Sequence, residues 1–238
     1  MVKLVNEILE AKKRAAMEAL RYVNEAEIIG IGTGSTVNEL IKLIGKKKRE
    51  FKNKIFITSS YDSTLKLAEM RLKVLHPSTV SEIDIYIDGA DEVDREMNMI
   101  KGGGAALTLE KLLAYYSKKR IFIVDYTKLV SWLGEKHPIP IDVIPYAVLM
   151  VKRKLEKMGF EVEVRRAIKG KYGPVTSDIG GVILDVKVEK PMNPRKLDEE
   201  IRGLPGVIET GLFIDLADKI IVGHPDKIEL MEKEELKH

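Results

Sequence analysis

The sequence predicts an α/β fold in which a doubly wound, mostly parallel sheet carries an inserted small α+β domain. Up to about residue 138, short apolar runs rich in β-branched residues alternate with amphipathic helical stretches, as in parallel sheets covered by helices. From Ile139 onward the predicted order changes to β-α-β-β-α-β. A last apolar run at Lys219–Gly223 predicts a strand that returns to the first sheet.

Composition narrows the class of protein. The 238 residues include 40 basic and 37 acidic side chains, and a net charge of +3 does not by itself indicate a nucleic-acid partner. Because the chain contains no Cys, disulfides, thiolate catalysis and Cys-ligated metals are excluded. It has no apolar stretch of membrane-spanning length and no signal-peptide core, so we expect a cytoplasmic protein without a membrane partner. Abundant Lys and Glu, with no Gln, resemble the composition of heat-adapted proteins.

The first elements predict a helix, a strand and a glycine-rich turn. Residues 2–22 repeat apolar side chains with helical spacing, and a strand begins at Glu27. The strand runs into Gly30-Ile31-Gly32-Thr33-Gly34-Ser35-Thr36, which precedes a helical stretch at Val37–Ile44. A glycine-rich turn between a strand and a helix offers backbone N–H groups to an anion.

The spacing of this turn favours a small phosphate over a nucleotide. A dinucleotide fingerprint would need Gly where Ser35 stands, and no Walker lysine follows at the required offset. The hydroxyls of Thr33, Ser35 and Thr36 suit a compact phosphate monoester at a helix N-terminus. The alternative is a tight turn in which Ser or Thr only caps the helix.

The next strands place more polar residues at the same predicted edge. Ile55–Thr58 is an apolar strand followed by Ser59-Ser60, which we interpret as a helix cap. Arg120–Asp125 is another apolar strand, and Lys128 follows just past its end. Because ligands of open α/β sheets bind at the carboxyl ends of the strands, Lys128 is expected to face them.

The stretch from Ile83 to Lys111 contains several charged residues and glycines that are candidates for a functional site. The buried strand Ile83–Ile87 ends in Asp88-Gly89-Ala90-Asp91, so two carboxylates follow it. Lys101 comes next, before Gly102-Gly103-Gly104. Good helix formers from Ala105 onward predict a helix that carries Glu110 about two turns from its start. Taken singly, these residues suit turns and caps, but together they favour a functional site.

The second part of the chain predicts a split βαβ, ferredoxin-like unit. Its predicted strands and helices are Ile139–Val143, Tyr146–Met158 (helix), Phe160–Arg166, Gly181–Val188, Asn193–Arg202 (helix) and Gly206–Phe213. The predicted boundaries are 1–138 plus 215–238 for a Rossmann-like α/β domain and 139–214 for the small domain. The charged residues 225–238 are expected to be partly disordered towards the end.

A metal site is the less favoured interpretation of the acidic residues. Asp88, Asp91 and Asp94 could ligate a divalent cation, but next to Lys101 they suit hydrogen bonds to hydroxyl groups at least as well. The four histidines lie outside every polar cluster and form no metal-ligand spacing.

Three motifs together resemble ribose-5-phosphate isomerase type A. They are Gly32-Thr33-Gly34-Ser35-Thr36, Asp88-Gly89-Ala90-Asp91-Glu92, and Lys101-Gly102-Gly103-Gly104 through Glu110-Lys111, and they occur in the family's order and spacing with Lys128 after them. The resemblance covers essentially the full chain. One departure is Leu109, where a basic residue is common in the family. It casts little doubt on Glu110.

The resemblance implies a cofactor-independent conversion of ribose 5-phosphate to ribulose 5-phosphate, in the non-oxidative pentose phosphate pathway, by a homodimer or homotetramer. It implies Glu110 as the base that moves a proton between C2 and C1, with Lys101 and the following amides facing the charged oxygen. Asp88 and Asp91 are the candidates for a second acid. The implied substrate-binding residues are Thr33, Gly34, Ser35, Thr36, Asp88, Gly89, Ala90, Asp91, Lys101, Gly102, Gly103, Gly104 and Lys128. Lys12 on the first helix suits a solvated helix face better than the phosphate.

Other functions of similar folds are less consistent with the sequence. A sugar-phosphate sensor shares the fold class, but only one helix precedes the first strand, which leaves no room for a helix-turn-helix. An amino-sugar phosphate deaminase would need a histidine near the base. A CoA transferase would use its glutamate as a nucleophile towards a thioester.

Overall fold

Two groups of apolar strands organise the chain in the computed structural model, which describes residues 2–168, 170 and 172–233. The first unit comprises Met1–Gly89, Leu112–Lys128 and Leu216–His238, and the second comprises Ala90–Lys111 and Leu129–Asp215. The helices are α1 (Val2–Glu25), α2 (Ser35–Lys46), α3 (Tyr61–Glu69), α4 (Leu107–Tyr115), α5 (Val148–Lys157) and α6 (Pro194–Arg202). None of the helices in this described part of the chain is long and apolar enough to cross a membrane.

The first unit is built on a seven-stranded sheet, whose strands are β1 (Ile28–Ile31), β2 (Ile55–Thr58), β3 (Lys73–Leu75), β4 (Ile83–Asp88), β7 (Ser117–Asp125), β13 (Lys219–Gly223) and β14 (Ile228–Glu232). Their order in the sheet is β14-β13-β7-β4-β1-β2-β3. Every pairing is parallel except that of β13 with β14. Helix α1 packs on α2, β7 and β13, and buried Ala, Val, Leu and Ile side chains fill the core. The predicted mixed α/β class with a mostly parallel central sheet is therefore confirmed.

The second unit contains two antiparallel sheets. Its strands are β5 (Glu92–Val93), β6 (Met99–Ile100), β8 (Ile139–Val143), β9 (Glu161–Val164), β10 (Val182–Lys187), β11 (Val207–Thr210) and β12 (Leu212–Phe213). The larger sheet has the order β11-β8-β10-β9, and its sequence order β8-α5-β9-β10-α6-β11 is the predicted β-α-β-β-α-β. The smaller sheet has the order β12-β6-β5.

Several predicted elements differ from those observed. The run Gly206–Phe213 is not one strand, because β11 pairs with β8 whereas β12 pairs with β6. The predicted tail at 225–238 contains strand β14 at Ile228–Glu232, and residues 234–238 lie outside those described. The prediction that Glu110 lies two turns into its helix is wrong, because α4 begins at Leu107. Ala105 has a φ of 62°, which is incompatible with a right-handed helix at that residue.

Candidate active site

The glycine-rich turn of the first unit lies directly against Asp88. A Cβ atom on Gly32 would stand 1.9 Å from the Asp88 carboxyl carbon, so only glycine fits between β1 and this side chain. The next glycine, Gly34, precedes α2 with a φ of 127° and provides no side-chain cap. The first turn of α2 thus lacks the Ser or Thr cap that the alternative interpretation required, and its N–H groups point out of the helix end.

Asp88 organises the turn through its own hydrogen bonds. Its side chain is fully buried at the end of β4. Oδ1 accepts the backbone N–H of Thr33 at 3.0 Å and that of Gly89 at 2.7 Å, and Oδ2 accepts the hydroxyl of Tyr86 at 2.6 Å. These contacts fix the direction in which the turn leaves the sheet.

A cluster of hydroxyl groups at the start of α3 supports the turn. The Thr33 hydroxyl donates to the Ser60 hydroxyl, and the Ser63 hydroxyl donates to the Gly32 carbonyl at 2.6 Å. Ser60 also caps α3 by accepting the N–H of Ser63 at 3.2 Å, as the sequence predicts. The side chain of Ser35, in contrast, is exposed at the start of α2.

The sequence interpretation of Lys12 as a solvated cation is wrong. Its Nζ lies 3.0 Å from the Ser35 hydroxyl and 3.8 Å from Oδ2 of Asp125, and its side chain is only 19% exposed. Packing of α1 on α2 and β7 brings this helix face to the turn. Lys128 is half-buried in the short helical turn that follows β7.

In the second unit a short hairpin brings Asp91 next to Lys101. Asp91 precedes β5 and Lys101 follows β6, so the antiparallel pairing of these strands joins the two ends. The N–H of Asp91 donates to the Ile100 carbonyl at 2.8 Å, and the N–H of Lys101 donates to the Gly211 carbonyl at 2.9 Å. Nine residues of sequence thus separate two groups that the fold makes neighbours.

The three glycines form a tight turn that connects this hairpin to α4. Gly102 has a φ of 101°, and the N–H of Gly103 donates to Oδ2 of Asp91 at 2.8 Å. Since α4 begins at Leu107, Glu110 occupies its first turn. A carboxylate in that position is favoured by the positive end of the helix dipole.

Glu110 and Lys101 form a buried ion pair. Oε2 of Glu110 lies 3.3 Å from Nζ of Lys101, and the two side chains are 5% and 3% exposed. The Lys101 ammonium also lies 5.4 Å from the centre of the Phe213 ring, and that of Lys111 lies 5.3 Å from it. Removing either partner of such a pair leaves an uncompensated charge at a typical cost of about 3–5 kcal/mol.

Lys111 belongs to a polar network that the sequence does not predict. Its Nζ donates to Oε1 of Glu209 at 2.7 Å and lies 3.6 Å from Oδ1 of Asp198. The hydroxyl of Thr210 donates to the same Asp198 carboxylate. The residues come from α4, α6 and β11, so no local pattern of the sequence could have grouped them.

Asp94, the third carboxylate of the possible metal site, stabilises a turn instead. Asp94 accepts the N–H groups of Glu96 and Asn98 at 2.9 and 2.8 Å, and so stabilises the turn of the β5–β6 hairpin. Burial raises the pKa of this carboxyl above its ordinary value. Across the described ranges 2–168, 170 and 172–233, no group of three acidic or histidine side chains is arranged to hold a metal ion.

Comparison with known proteins decides the family. Residues 55–227 match the family described as Ribose 5-phosphate isomerase A (phosphoriboisomerase A). The chain belongs to this family. It is therefore an isomerase.

Relatives of this isomerase span nearly its whole length. It is 42% identical to the ribose-5-phosphate isomerase A of Thermococcus kodakarensis over 226 residues, which cover 94% of this chain and 98% of the relative. It is 40% identical to the protein of the same name from Pyrococcus horikoshii, with the same shares covered.

Solved structures agree with the fold. A D-ribose-5-phosphate isomerase in complex with phospho-erythronic acid superposes with a TM-score of 0.90 and 39% identity, over 95% of this chain and 99% of that one. The ribose 5-phosphate isomerase A of Methanocaldococcus jannaschii gives 0.87 and 36%, over 94% and 98%.

The predicted site residues of the isomerase fall into two groups, one in each unit. The first unit contains Thr33, Gly34, Ser35, Thr36, Asp88, Gly89 and Lys128, and the second contains Ala90, Asp91, Lys101, Gly102, Gly103, Gly104 and Glu110. Sequence reasoning overlooked Arg165, whose guanidinium contacts the Gly102 and Gly103 carbonyls. Arg165 is the first of two consecutive arginines at the end of the predicted strand Phe160–Arg166, and this pattern carries no local signal of such a contact.

Proposed function

We propose that this isomerase interconverts D-ribose 5-phosphate and D-ribulose 5-phosphate through a cis-enediolate, with Glu110 as the base. The observation that carries the proposal is the buried pair of Glu110 and Lys101, 3.3 Å apart. A carboxylate can accept a proton from carbon, and the ammonium beside it can stabilise the negative charge that the same step creates on oxygen.

The reaction needs no net gain or loss of protons. Glu110 removes the proton from C2, the electron pair forms the enediolate, and the same carboxyl group returns the proton to C1. A second proton moves from the C2 oxygen to the C1 oxygen, so that the aldehyde becomes an alcohol and the alcohol a ketone. A positioned general base of this kind typically contributes about 10²–10⁴-fold in rate.

Lys101 and the amides of Gly102 and Gly104 are proposed to face the developing oxyanion, because the N–H of Gly103 is already bonded to Asp91. Preorganised donors of this kind are worth roughly 3–4 kcal/mol each in the transition state. The glycines suit the role because the absence of side chains leaves their N–H groups accessible to a substrate oxygen.

Asp88 and Asp91 receive different roles in this proposal. Asp88 is fully buried and already accepts two backbone N–H groups and a tyrosine hydroxyl, so we propose that it holds the turn. Asp91 is half-buried and accepts the backbone N–H of Gly103. We propose that it moves protons among the sugar oxygens.

The phosphate is assigned to the turn at the start of α2. The uncapped helix N-terminus, the hydroxyls of Ser35 and Thr36 and the Lys12 ammonium form a set that a phosphate monoester would complete. Lys128 is proposed to bind the phosphate or the adjacent sugar hydroxyls. Phospho-erythronic acid, present in one solved relative, is also a phosphate compound.

Further features of the protein are proposed with the reaction. We propose that it works in the cytoplasm as a homodimer or homotetramer and requires no cofactor, metal or nucleic acid. The predicted domain division at 1–138 plus 215–238 and 139–214 is also a proposal. Sedimentation equilibrium tests the oligomeric state, and limited proteolysis tests the division.

The deciding experiment measures conversion of ribose 5-phosphate in excess EDTA by wild type and by Glu110→Gln. We expect rapid turnover by wild type and loss of turnover in the variant, with substrate binding nearly unchanged because Gln keeps the size of the side chain but cannot take up the proton. Glu156→Gln, an exposed helix position paired with Lys152, is the matched control and should keep full activity.

Other outcomes would replace the proposal. Binding of ribose 5-phosphate without conversion by wild type would favour a sugar-phosphate sensor. Activity that disappears only with EDTA would make the reaction metal-dependent. Labelling of Glu110 by an acyl-CoA would indicate a CoA transferase.

A further inference from the structure

Arg165, which directly follows β9, holds the glycine turn that precedes α4. Its Nη1 donates to the carbonyl oxygen of Gly102 at 2.8 Å and to that of Gly103 at 3.2 Å. A guanidinium presents several N–H groups in one plane, so one nitrogen can contact two successive carbonyls while the rest bind elsewhere.

Asp185 of β10 binds the same guanidinium through its other nitrogens. Nε donates to Oδ2 at 2.8 Å and Nη2 donates to Oδ1 at 2.5 Å, which makes the pair bidentate. The side chains of Arg165 and Asp185 are 16% and 18% exposed, so solvent screens the pair only weakly. The Arg165 backbone is also bonded on both sides, to Ile183 and Val175.

The other side of the turn is held by Asp91. Its Oδ2 accepts the N–H of Gly103 at 2.8 Å, so Gly103 is bonded through both its N–H and its carbonyl group. The turn includes left-handed backbone at Gly102 and at Ala105, with φ values of 101° and 62°. A non-glycine residue in that region typically costs about 1–3 kcal/mol, so the turn needs such contacts to keep its shape.

We propose that Arg165 is a positioning residue for the isomerisation. By fixing the Gly102 and Gly103 carbonyls it orients the peptide N–H groups of the turn and the Lys101 side chain immediately before it. This inference rests on the proposed function, in which those groups stabilise the enediolate. Arg165 lies far from them in sequence and acts through the turn rather than on the substrate.

The test compares Arg165→Met, Arg165→Lys and Asp185→Asn with wild type in kcat, KM and thermal midpoint. In Arg165→Met we expect kcat to fall about 10–100-fold while KM changes less than about threefold, because displacement of catalytic groups by about 1 Å has effects of this size. Arg165→Lys should fall less, since an ammonium reaches a carbonyl but cannot bind Asp185 in bidentate fashion. Asp185→Asn should resemble Arg165→Lys.

Lys187→Met is the matched control. Lys187 lies two residues after Asp185 on β10 and pairs with Glu161 across the same two strands, but it is 47% exposed and does not contact the turn. It should keep kcat and KM within about twofold, as expected for a surface ion pair.

Each outcome bears on the proposal. A kcat within twofold of wild type in Arg165→Met would overturn it. If Arg165→Met does not fold, full kcat in Arg165→Lys and Asp185→Asn would overturn it instead. Equal losses in Lys187→Met would assign the effect to general instability of the sheet. Failure of the proposed function is distinguishable, because it would appear as inactive wild type or as an active Glu110→Gln variant.

Discussion

At the scale of single residues, two oppositely charged side chains of the second unit are buried against each other. Glu110 and Lys101 were predicted from their order in the chain, and the fold pairs them at 3.3 Å. The sequence interpretation placed Lys12 on a solvated helix face. Helical periodicity shows which side chains share a face, but it does not show which other element packs against that face. Its contact with Ser35 depends on how α1 packs against α2, which is set by the core of the first unit.

The position of Lys12 leads to a prediction about phosphate binding. Lys12→Met and Lys128→Met should each raise KM about tenfold or more with a smaller effect on kcat, since a charge-assisted contact contributes about 1.5–3 kcal/mol. Steady-state kinetics with ribose 5-phosphate gives both constants. Lys13→Met is the control, because Lys13 is on the same helix but pairs with Glu10 and is 44% exposed. A normal KM in both test variants would contradict the binding role.

At the scale of elements, prediction succeeded where a run of apolar residues was long enough to fill a strand. Ile55–Thr58, Ile139–Val143 and Lys219–Gly223 have the predicted bounds. The strands β5, β6 and β12 are two residues long, and no periodicity can be detected over two residues. The hairpin that brings Asp91 beside Lys101 was therefore not predicted, although both residues were.

The close approach of β4 to the glycine turn predicts a strong effect of one methyl group. Gly32→Ala should lower the free energy of unfolding by roughly 1–3 kcal/mol, because the added Cβ overlaps the fixed Asp88 carboxylate. Activity should fall with it, since the turn must move. Chemical denaturation and turnover assays measure the two effects.

Gly45→Ala is the comparison for this variant. Gly45 lies near the end of α2, and its added Cβ would meet only the flexible side chain of Met70. Alanine is also favoured over glycine in a helix by about 1 kcal/mol. Equal destabilisation by the two substitutions would mean that the Asp88 contact is not what requires glycine at position 32.

At the scale of the whole molecule, carboxyl groups whose pKa changes on folding contribute to the pH dependence of stability. In the second unit, burial raises the pKa of Asp142 above its ordinary value of 3.8, although the Thr108 hydroxyl opposes the change. In the first unit, the N–H of Ile28 lowers the pKa of Asp84, assisted by Lys118. Neither effect could be predicted from the sequence, because both depend on the depth of the side chain and its partners.

These two pKa shifts have opposite signs, so replacing the two residues by Asn should change the thermal midpoint in opposite directions. Folded protein holds the Asp142 proton more tightly than unfolded protein, so this contribution to stability is present below pH 3.8 and is lost as pH rises through the raised pKa. Asp142→Asn should therefore raise the thermal midpoint by a few degrees at pH 7.5, and less at pH 4. Its carbonyl can still accept the Thr108 hydroxyl.

Asp84→Asn provides the opposite case. The stabilising contribution of Asp84 is present above pH 3.8 and is lost as pH falls through its lowered pKa, so this variant should melt earlier than wild type at pH 7.5. The difference should shrink near pH 3. Thermal melts across this range measure both variants, and shifts of the same sign would refute the assignment.

The pairing of β13 with β7 has a consequence for synthesis on the ribosome. Strand β7 pairs on one side with β4, which precedes it in the chain, but its partner on the other side is encoded about 90 residues later, after the whole of the larger antiparallel sheet. At translation rates of about 5–20 residues per second, several seconds pass between the synthesis of this apolar edge and the synthesis of its partner strand. The run Lys118-Lys119-Arg120 at the start of β7 adds positive charges that discourage pairing with a neighbouring nascent chain during that interval.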